Sequence, residues 1–197
     1  MNAAAAEVDR LCPRDRSTSL MGTVVTSGIW SRVGLDDVSL FAGIGTEHIR
    51  WGDVPDDKRS GYIFEGTVVE AQLDGSDFLL GTFTHQNRVI PMPTSEQFWV
   101  YLTVNVAFED EGIEHDFTVR FRHDETPNEG PHPNDVVKLP KVHENEIVYV
   151  DNVEYKVSIT GFLRNKRKVT QFDSPEGGSN SAGIFARFER SGSPSIS

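Results

Sequence analysis

The stretch Phe117-Thr118-Val119-Arg120-Phe121-Arg122 alternates apolar and polar side chains. Successive side chains of a β-strand point to opposite faces of a sheet, so this pattern places the phenylalanines on one face and the arginines on the other. It therefore predicts a half-buried antiparallel strand. Comparable patterning predicts further strands over 23–30, 62–71, 78–84, 98–108, 146–150, 154–162 and 183–188.

Turn-forming residues separate these strands, and no window carries a helical stripe of apolar residues. Asp151-Asn152 lies between two apolar runs and predicts a two-residue hairpin turn, because Asn tolerates left-handed backbone angles. The acidic run 109–116 predicts a hairpin connection. The sequence thus predicts an all-β fold: one jelly-roll-like antiparallel β-sandwich domain over 21–190, with a flexible leader over 1–20 and a disordered tail over 191–197.

Large apolar and aromatic residues of these strands predict the core between the two sheets. The predicted core consists of Trp30, Phe64, Phe78, Leu80, Phe83, Trp99, Tyr101, Phe117, Phe121, Tyr155, Phe162 and Phe185.

Charge and hydropathy exclude several classes of function. The chain has 19 Lys and Arg against 30 Asp and Glu, a net charge of -11 that disfavours binding to nucleic acid. Its longest apolar runs are about five residues, whereas a membrane-spanning helix needs roughly 20. Cys12 is the single cysteine, so no intrachain disulfide can form. The first residues lack the apolar core of a secretory signal, which leaves a cytoplasmic location open.

Two polar clusters follow predicted strands, and side chains at strand ends often present ligand-binding groups. The first contains Thr84, His85 and Asn87, and the second is the run His123-Asp124-Glu125-Thr126-Pro127-Asn128. Both sit in an otherwise aromatic neighbourhood, so we expect them to meet in space and to share a hydrogen-bonded network. Such a network would hold the fold, whereas an open cluster would bind a ligand.

The second cluster also offers metal ligands. Glu125, Asn128 and Asp135 supply hard oxygen donors of the kind that calcium prefers, although their spacing is not that of an EF-hand loop. The histidines His123, His132 and His143 are a weaker pointer to zinc, because no fixed-spacing motif accompanies them. A hydrolase could use His85 or His123 as a general base with Glu125 as its partner.

Several motifs, read in order, resemble the choice-of-anchor K (THxN) family of bacterial secreted and surface proteins. They cover about residues 22 to 188 and comprise Gly28-Ile29-Trp30, Ile49-Arg50-Trp51-Gly52, Ser60-Gly61-Tyr62-Ile63-Phe64, the run LGTFTHQN over 80–87, Ile90-Pro91, the run HDETPN over 123–128, Asp135, Tyr155, Ile159-Thr160-Gly161-Phe162, Phe172, Glu176 and Asn180.

This resemblance implies a β-rich domain without established catalytic activity, located outside the cell or at its surface. Thr84, His85, Asn87, Glu125, Thr126 and Asn128 carry over as family-typical positions, as binding or structural residues. The chain departs from the family pattern in lacking a signal peptide and a C-terminal apolar anchor.

Three functions remain open on the sequence. The leading hypothesis is a non-catalytic binding or assembly module, surface-associated or part of a larger structure, with protein partners or glycans as ligands and no cofactor. The second is a calcium-dependent carbohydrate-binding module, for which Trp30, Trp51 or Trp99 would have to be exposed. The third is the hydrolase. The oligomeric state and the ligand stay undetermined.

Overall fold

The computed structural model describes residues 21–91, 97–110, 112–126, 134–139 and 146–192. The predicted leader lies outside these ranges, as does the predicted tail apart from Ser191 and Gly192. In the described part of the chain, no helix is long and apolar enough to cross a membrane. A three-residue 3-10 turn at Asp56–Lys58 is its single helical element.

Strands make up nearly all of the regular structure. In chain order they are β1 (Met21–Val33), β2 (Phe41–Ala42), β3 (His48–Trp51), β4 (Ser60–Glu65), β5 (Val68–Gln72), β6 (Asp77–Asn87), β7 (Gln97–Phe108), β8 (Ile113–Asp124), β9 (Asp135–Lys138), β10 (Glu146–Val150), β11 (Val153–Arg164), β12 (Arg167–Val169), β13 (Gln171–Ser174) and β14 (Gly178–Arg190).

The strands form two antiparallel sheets that pack face to face, which confirms the predicted all-β sandwich. The six-stranded sheet has the order β13-β9-β8-β7-β1-β5. The eight-stranded sheet has the order β10-β11-β14-β6-β4-β3-β2, with β12 paired to β11. Aromatic rings fill the space between them, and Phe83 of β6 stacks on Phe121 of β8 at a centroid distance of 5.4 Å. The core therefore joins the central strands of both sheets.

The predicted hairpin turn at Asp151-Asn152 is confirmed, because both residues have positive φ angles of 50° and 60°. The acidic run was predicted too long as a connection: β8 begins at Ile113, so residues 113–116 belong to the strand and pair with β7. Alternating charges at 114 and 116 lie on the exposed face of that strand. The acidic run therefore contains both a turn and the solvent-facing side chains at the start of β8.

The predicted strand over 62–71 is wrong as one element. The chain leaves the eight-stranded sheet after β4 and enters the six-stranded sheet at β5, crossing at Gly66 and Thr67. At Gly66 a Cβ atom would lie 1.9 Å from the carbonyl oxygen of Thr26. Because only glycine allows so close an approach of two backbones, this residue marks the point where the strand changes sheets.

Three residues that were predicted to lie in the core point outward, away from the opposite sheet. Trp99, Tyr101 and Phe185 are half-buried on outer faces, whereas their neighbours on the same strands fill the core. On β7 the inward positions are the even-numbered ones from Phe98 to Phe108, so the aromatic pair is one residue out of phase with them. Arginines pack on both rings, with Arg32 3.9 Å above Tyr101 and Arg120 5.0 Å above Trp99.

Gly81 of β6 provides a test of packing between the sheets. A Cβ atom there would lie 2.5 Å from Cζ of Phe64 and 2.7 Å from the carbonyl oxygen of Glu65. We expect Gly81→Ala to lower the free energy of unfolding by about 1–3 kcal/mol, because the backbone oxygen cannot turn aside. Urea denaturation measures this change.

Gly178→Ala is the matched control, since its Cβ would approach no atom closer than 3.9 Å. It should change the free energy of unfolding by no more than about 0.5 kcal/mol. Equal losses in the two variants would contradict the assigned packing.

Candidate metal centre

Strand alternation divides the first polar cluster between two faces. On β6, His85 and Asn87 point inward in phase with Phe83, and both are fully buried. Thr84 points outward, where its hydroxyl lies 2.8 Å from that of Ser181 on β14. The cluster therefore contributes two side chains to the interior and one to the surface.

The second cluster enters the same space from the opposite sheet. His123 of β8 points inward in phase with Phe121, and Glu125 follows it just past the strand end. Asp135 begins β9, the neighbouring strand of the six-stranded sheet. His123 and Asp135 are fully buried, and Glu125 is 3% exposed.

Imidazole nitrogens and carboxylate oxygens converge here. One ligand atom from each of His85, His123 and Asp135 lies within 4.8 Å of the other two. Oδ2 of Asp135 is 4.0 Å from Nε2 of His85 and 3.6 Å from Nε2 of His123. Because His85 belongs to one sheet and the other two residues to the other, the group spans the interior of the sandwich.

A second group of ligand atoms shares Asp135. Oxygens of Glu125, Asp135 and Glu176 also lie within 4.8 Å of one another. Glu176 lies in the turn that joins β13 to β14 and is half-buried, although both of its carboxylate oxygens are shielded from solvent. We call His85, His123, Glu125, Asp135 and Glu176 the interior cluster.

Two aromatic residues hold the interior cluster in place. The hydroxyl of Tyr62 is 2.6 Å from Nδ1 of His123, and Nε1 of Trp51 donates a hydrogen bond of 3.3 Å to Oε2 of Glu125. That same oxygen is 3.0 Å from Nε2 of His123. The Trp51 ring also stacks on His85, with centroids 5.8 Å apart. These contacts fix the orientation of both imidazoles.

Hydrogen bonds to the backbone and to hydroxyl groups secure the rest of the site. Nδ2 of Asn87 donates to the carbonyl oxygen of Ser174 over 2.8 Å, which links β6 to β13 across the two sheets. Oδ1 of Asp135 accepts from the backbone N–H of Thr126 at 3.0 Å and from its hydroxyl at 3.3 Å. One carboxylate oxygen of Asp135 is thus occupied, and the other faces the histidines.

The buried environment shifts the ionisation of the cluster. Burial, reinforced by His123, lowers the pKa of His85 well below its usual value. Burial raises the pKa of Asp135 to about 6, and burial together with Asp135 raises the pKa of Glu176 to about 7. Burial also raises the pKa of Tyr62 well above its ordinary value, with further contributions from Asp135 and Glu125. His85 is therefore neutral, the form in which imidazole binds metals.

Several buried polar atoms of the site lack a hydrogen-bond partner among the residues that the structure describes. They are Nδ1 and Nε2 of His85, Oδ1 of Asn87, Oε1 of Glu125 and Oδ2 of Asp135. Within the described ranges, no Lys or Arg forms an ion pair with Glu125, Asp135 or Glu176. Because buried polar groups are almost always satisfied, these atoms are available to bind a ligand.

The expectation that the two polar clusters meet is confirmed, since the rings of His85 and His123 lie 5.2 Å apart. The expected shared hydrogen-bond network needs correction, because ring contacts and the approach of His85 to Asp135 join the two clusters in the described residues. The hydrogen bonds across the sandwich run instead from Tyr62 to His123, from Trp51 to Glu125 and from Asn87 to Ser174. Asn128, a predicted binding and calcium residue, lies outside the described residues, as do His132 and His143.

Sequence reasoning missed three contributors to the site. Trp51 was considered as an exposed platform, yet it is fully buried against the histidines. Tyr62 and Glu176 were named only among the residues that resemble the choice-of-anchor K family, and no role in the site was predicted for them. A signal was present for His123, because it continues the inward phase of Phe117 and Phe121. No local pattern could identify Glu176, whose role depends on a turn meeting two distant strands.

The chain matches no protein-family model, and a search of curated proteins finds no significant match. The resemblance to the choice-of-anchor K family therefore stays a prediction. Function has to be argued from the geometry of the interior cluster.

The two faces of β6 predict different costs for removing polar side chains. Asn87→Ala should lower the free energy of unfolding by about 1–3 kcal/mol, because it leaves the buried Ser174 carbonyl without its donor. Thr84→Ala removes an exposed contact and should cost no more than about 0.5 kcal/mol.

Urea denaturation in the presence of a chelator measures both variants without a contribution from bound metal. A cost for Thr84→Ala as large as that for Asn87→Ala would contradict the assignment of faces.

Proposed function

We propose that this chain is a non-catalytic β-sandwich module whose interior binds a divalent transition-metal ion of the zinc class through His85, His123 and Asp135. One observation carries the proposal. The His85 side chain is fully buried, neither of its nitrogens has a hydrogen-bond partner within the described residues, and its Nε2 faces a carboxylate oxygen that also lacks one.

The donor set favours zinc over calcium at this position. Neutral imidazole nitrogens suit zinc and its neighbours in the first transition series, whereas calcium prefers oxygen ligands alone. Ligand atoms around tetrahedral zinc lie roughly 3.4 Å apart, given metal–ligand distances of about 2.1 Å. The separations of 3.6 and 4.0 Å from Asp135 to the histidines therefore need only a small inward movement.

His123 has the outer contact that metal-binding histidines usually have. When Nε2 binds the ion, the proton of the neutral ring resides on Nδ1, which lies 2.6 Å from the Tyr62 oxygen and donates to it. Glu125 Oε2, 3.0 Å from Nε2, stands next to the ion position and can complete its coordination. Tyr62 is accordingly a positioning residue for the metal.

Burial supports a structural role for the ion rather than a catalytic one. The three proposed ligands have no exposed surface, and a catalytic metal needs an open position that substrate can reach. An ion held by one ligand from the eight-stranded sheet and two from the six-stranded sheet would hold the sheets together. Its binding free energy would then contribute directly to folding.

Assembly with protein partners, glycan binding and a location at the cell surface stay predictions, and each fits a stable module of this kind. The tryptophans give little support to glycan binding on an aromatic platform. Trp30 and Trp51 are fully buried, and the Trp99 ring packs with Arg120.

Metal titration of the chelator-treated protein tests the proposal. At zinc concentrations about 100 times Kd, the ion should add about 2.7 kcal/mol of stability and raise the melting temperature by about 5–10 °C. Cobalt should substitute and give the visible absorption of a tetrahedral ion, with one equivalent bound per chain.

His85→Ala should abolish both signals, and His115→Ala is the matched control because His115 lies on β8 away from the interior cluster. The wild-type titration decides the question even where His85→Ala does not fold. A wild-type protein that shows neither stabilisation nor cobalt absorption would overturn the proposal.

A further inference from the structure

The carboxylate side of the interior cluster forms a second ligand set, distinct in chemistry from the histidine side. Glu125, Asp135 and Glu176 offer only oxygen atoms, and these atoms lie within 4.8 Å of one another. Asp135 belongs to both sets. A carboxylate shared by two ligand sets can bridge two ions, which lie about 3.5–4 Å apart in two-metal sites. In Asp135 the free oxygen is Oδ2, since Oδ1 accepts from Thr126.

An unpartnered oxygen points to a ligand on this side as well. Oε1 of Glu125 is shielded from solvent, belongs to a side chain that is 3% exposed, and has no hydrogen-bond partner in the described part of the chain. Both carboxylate oxygens of Glu176 are shielded from solvent too. The Asn87 side chain interacts with the carboxylate of Glu176 and so helps to position it beside the other two carboxylates.

The oxygen-only donor set suits a large hard cation. Calcium accepts carboxylates that bind through one or both oxygens in flexible geometry, whereas magnesium demands near-ideal octahedral geometry and keeps several waters. Glu125, Asp135 and Glu176 supply three carboxylates, and Glu176 can bind through both of its oxygens. Water at the half-buried turn of Glu176 would complete the six to eight ligands that calcium takes.

The charge of the cluster leaves room for a second ion. The cluster contains three carboxylates and two histidines, and no described Lys or Arg pairs with these carboxylates. One divalent ion offsets two carboxylate charges, so the third ionised carboxylate is left for a second cation to offset.

We propose that the interior cluster is a two-cation centre in which Asp135 bridges a zinc-class ion at His85 and His123 to a calcium ion at Glu125 and Glu176. This inference rests on the proposed function, because the zinc-class ion occupies the first of the two positions. It gives the calcium that the sequence predicts at Glu125 and Asp135 a defined position, and it adds Glu176 as a ligand.

Calcium titration of zinc-loaded protein tests the second position. Isothermal calorimetry should give one calcium ion per chain, with zinc retained at one equivalent by elemental analysis. Terbium in place of calcium should luminesce on excitation of tryptophan, because the Trp51 indole lies next to Glu125.

Glu176→Gln should weaken calcium binding by about tenfold or more and leave zinc retention unchanged, since it removes one charged ligand of the second position alone. Glu176 lies in a half-buried turn, so this variant preserves the core. Glu114→Gln, at an exposed position of β8, is the matched control and should bind calcium like the wild type.

The outcomes separate the two proposals. Calcium that displaces zinc one for one, or that fails to bind zinc-loaded protein, overturns the two-cation centre and leaves the zinc-class site standing. A protein that binds neither zinc nor calcium overturns both. Equal calcium binding by Glu176→Gln and Glu114→Gln also overturns the second position.

Discussion

Burial of ionisable side chains between two packed sheets is the constraint on which the interior of this protein depends. Removing a charged group from water costs several kcal/mol unless a partner compensates it. Here Asp135 is fully buried and Glu125 nearly so, and no Lys or Arg of the described residues pairs with either carboxylate. Protons or cations have to balance these charges. The pKa values of Asp135 and Glu176 are raised because burial disfavours the charged carboxylate, so these groups take up a proton more readily.

Alternation of inward- and outward-pointing side chains along the central strands β6 and β8 brings the ionisable groups together between the sheets. Phe83 and Phe121 stack between the sheets, and two residues further along each strand the same inward phase delivers His85 and His123. The aromatic core thus continues directly into the interior cluster, and Trp51 and Tyr62 close around the histidines. Packing sets the positions of these side chains, and an ion bound there would strengthen the contact between the sheets.

Local pattern was enough to predict the all-β sandwich, most strand positions and the meeting of the two polar clusters. It failed where apolar residues occupy both faces of one strand, because either set could then be taken as the core face. On β7, Trp99 and Tyr101 point outward because the even-numbered residues of that strand face the core. It also failed where the chain changes sheets at Gly66. Local pattern could not identify Tyr62 and Trp51 as parts of the site, because their partners are distant in sequence. Tyr62 contacts His123 across 61 residues, and Trp51 contacts Glu125 across 74.

The proposed zinc-class site depends on the unpartnered atoms around His85. Anomalous diffraction from crystals of zinc-treated protein locates a bound ion without reference to activity. We expect an anomalous peak within about 2.1 Å of nitrogens of His85 and His123 and of a carboxylate oxygen of Asp135. A crystal structure with no peak there, and with both His85 nitrogens hydrogen-bonded to water or protein, would refute the site.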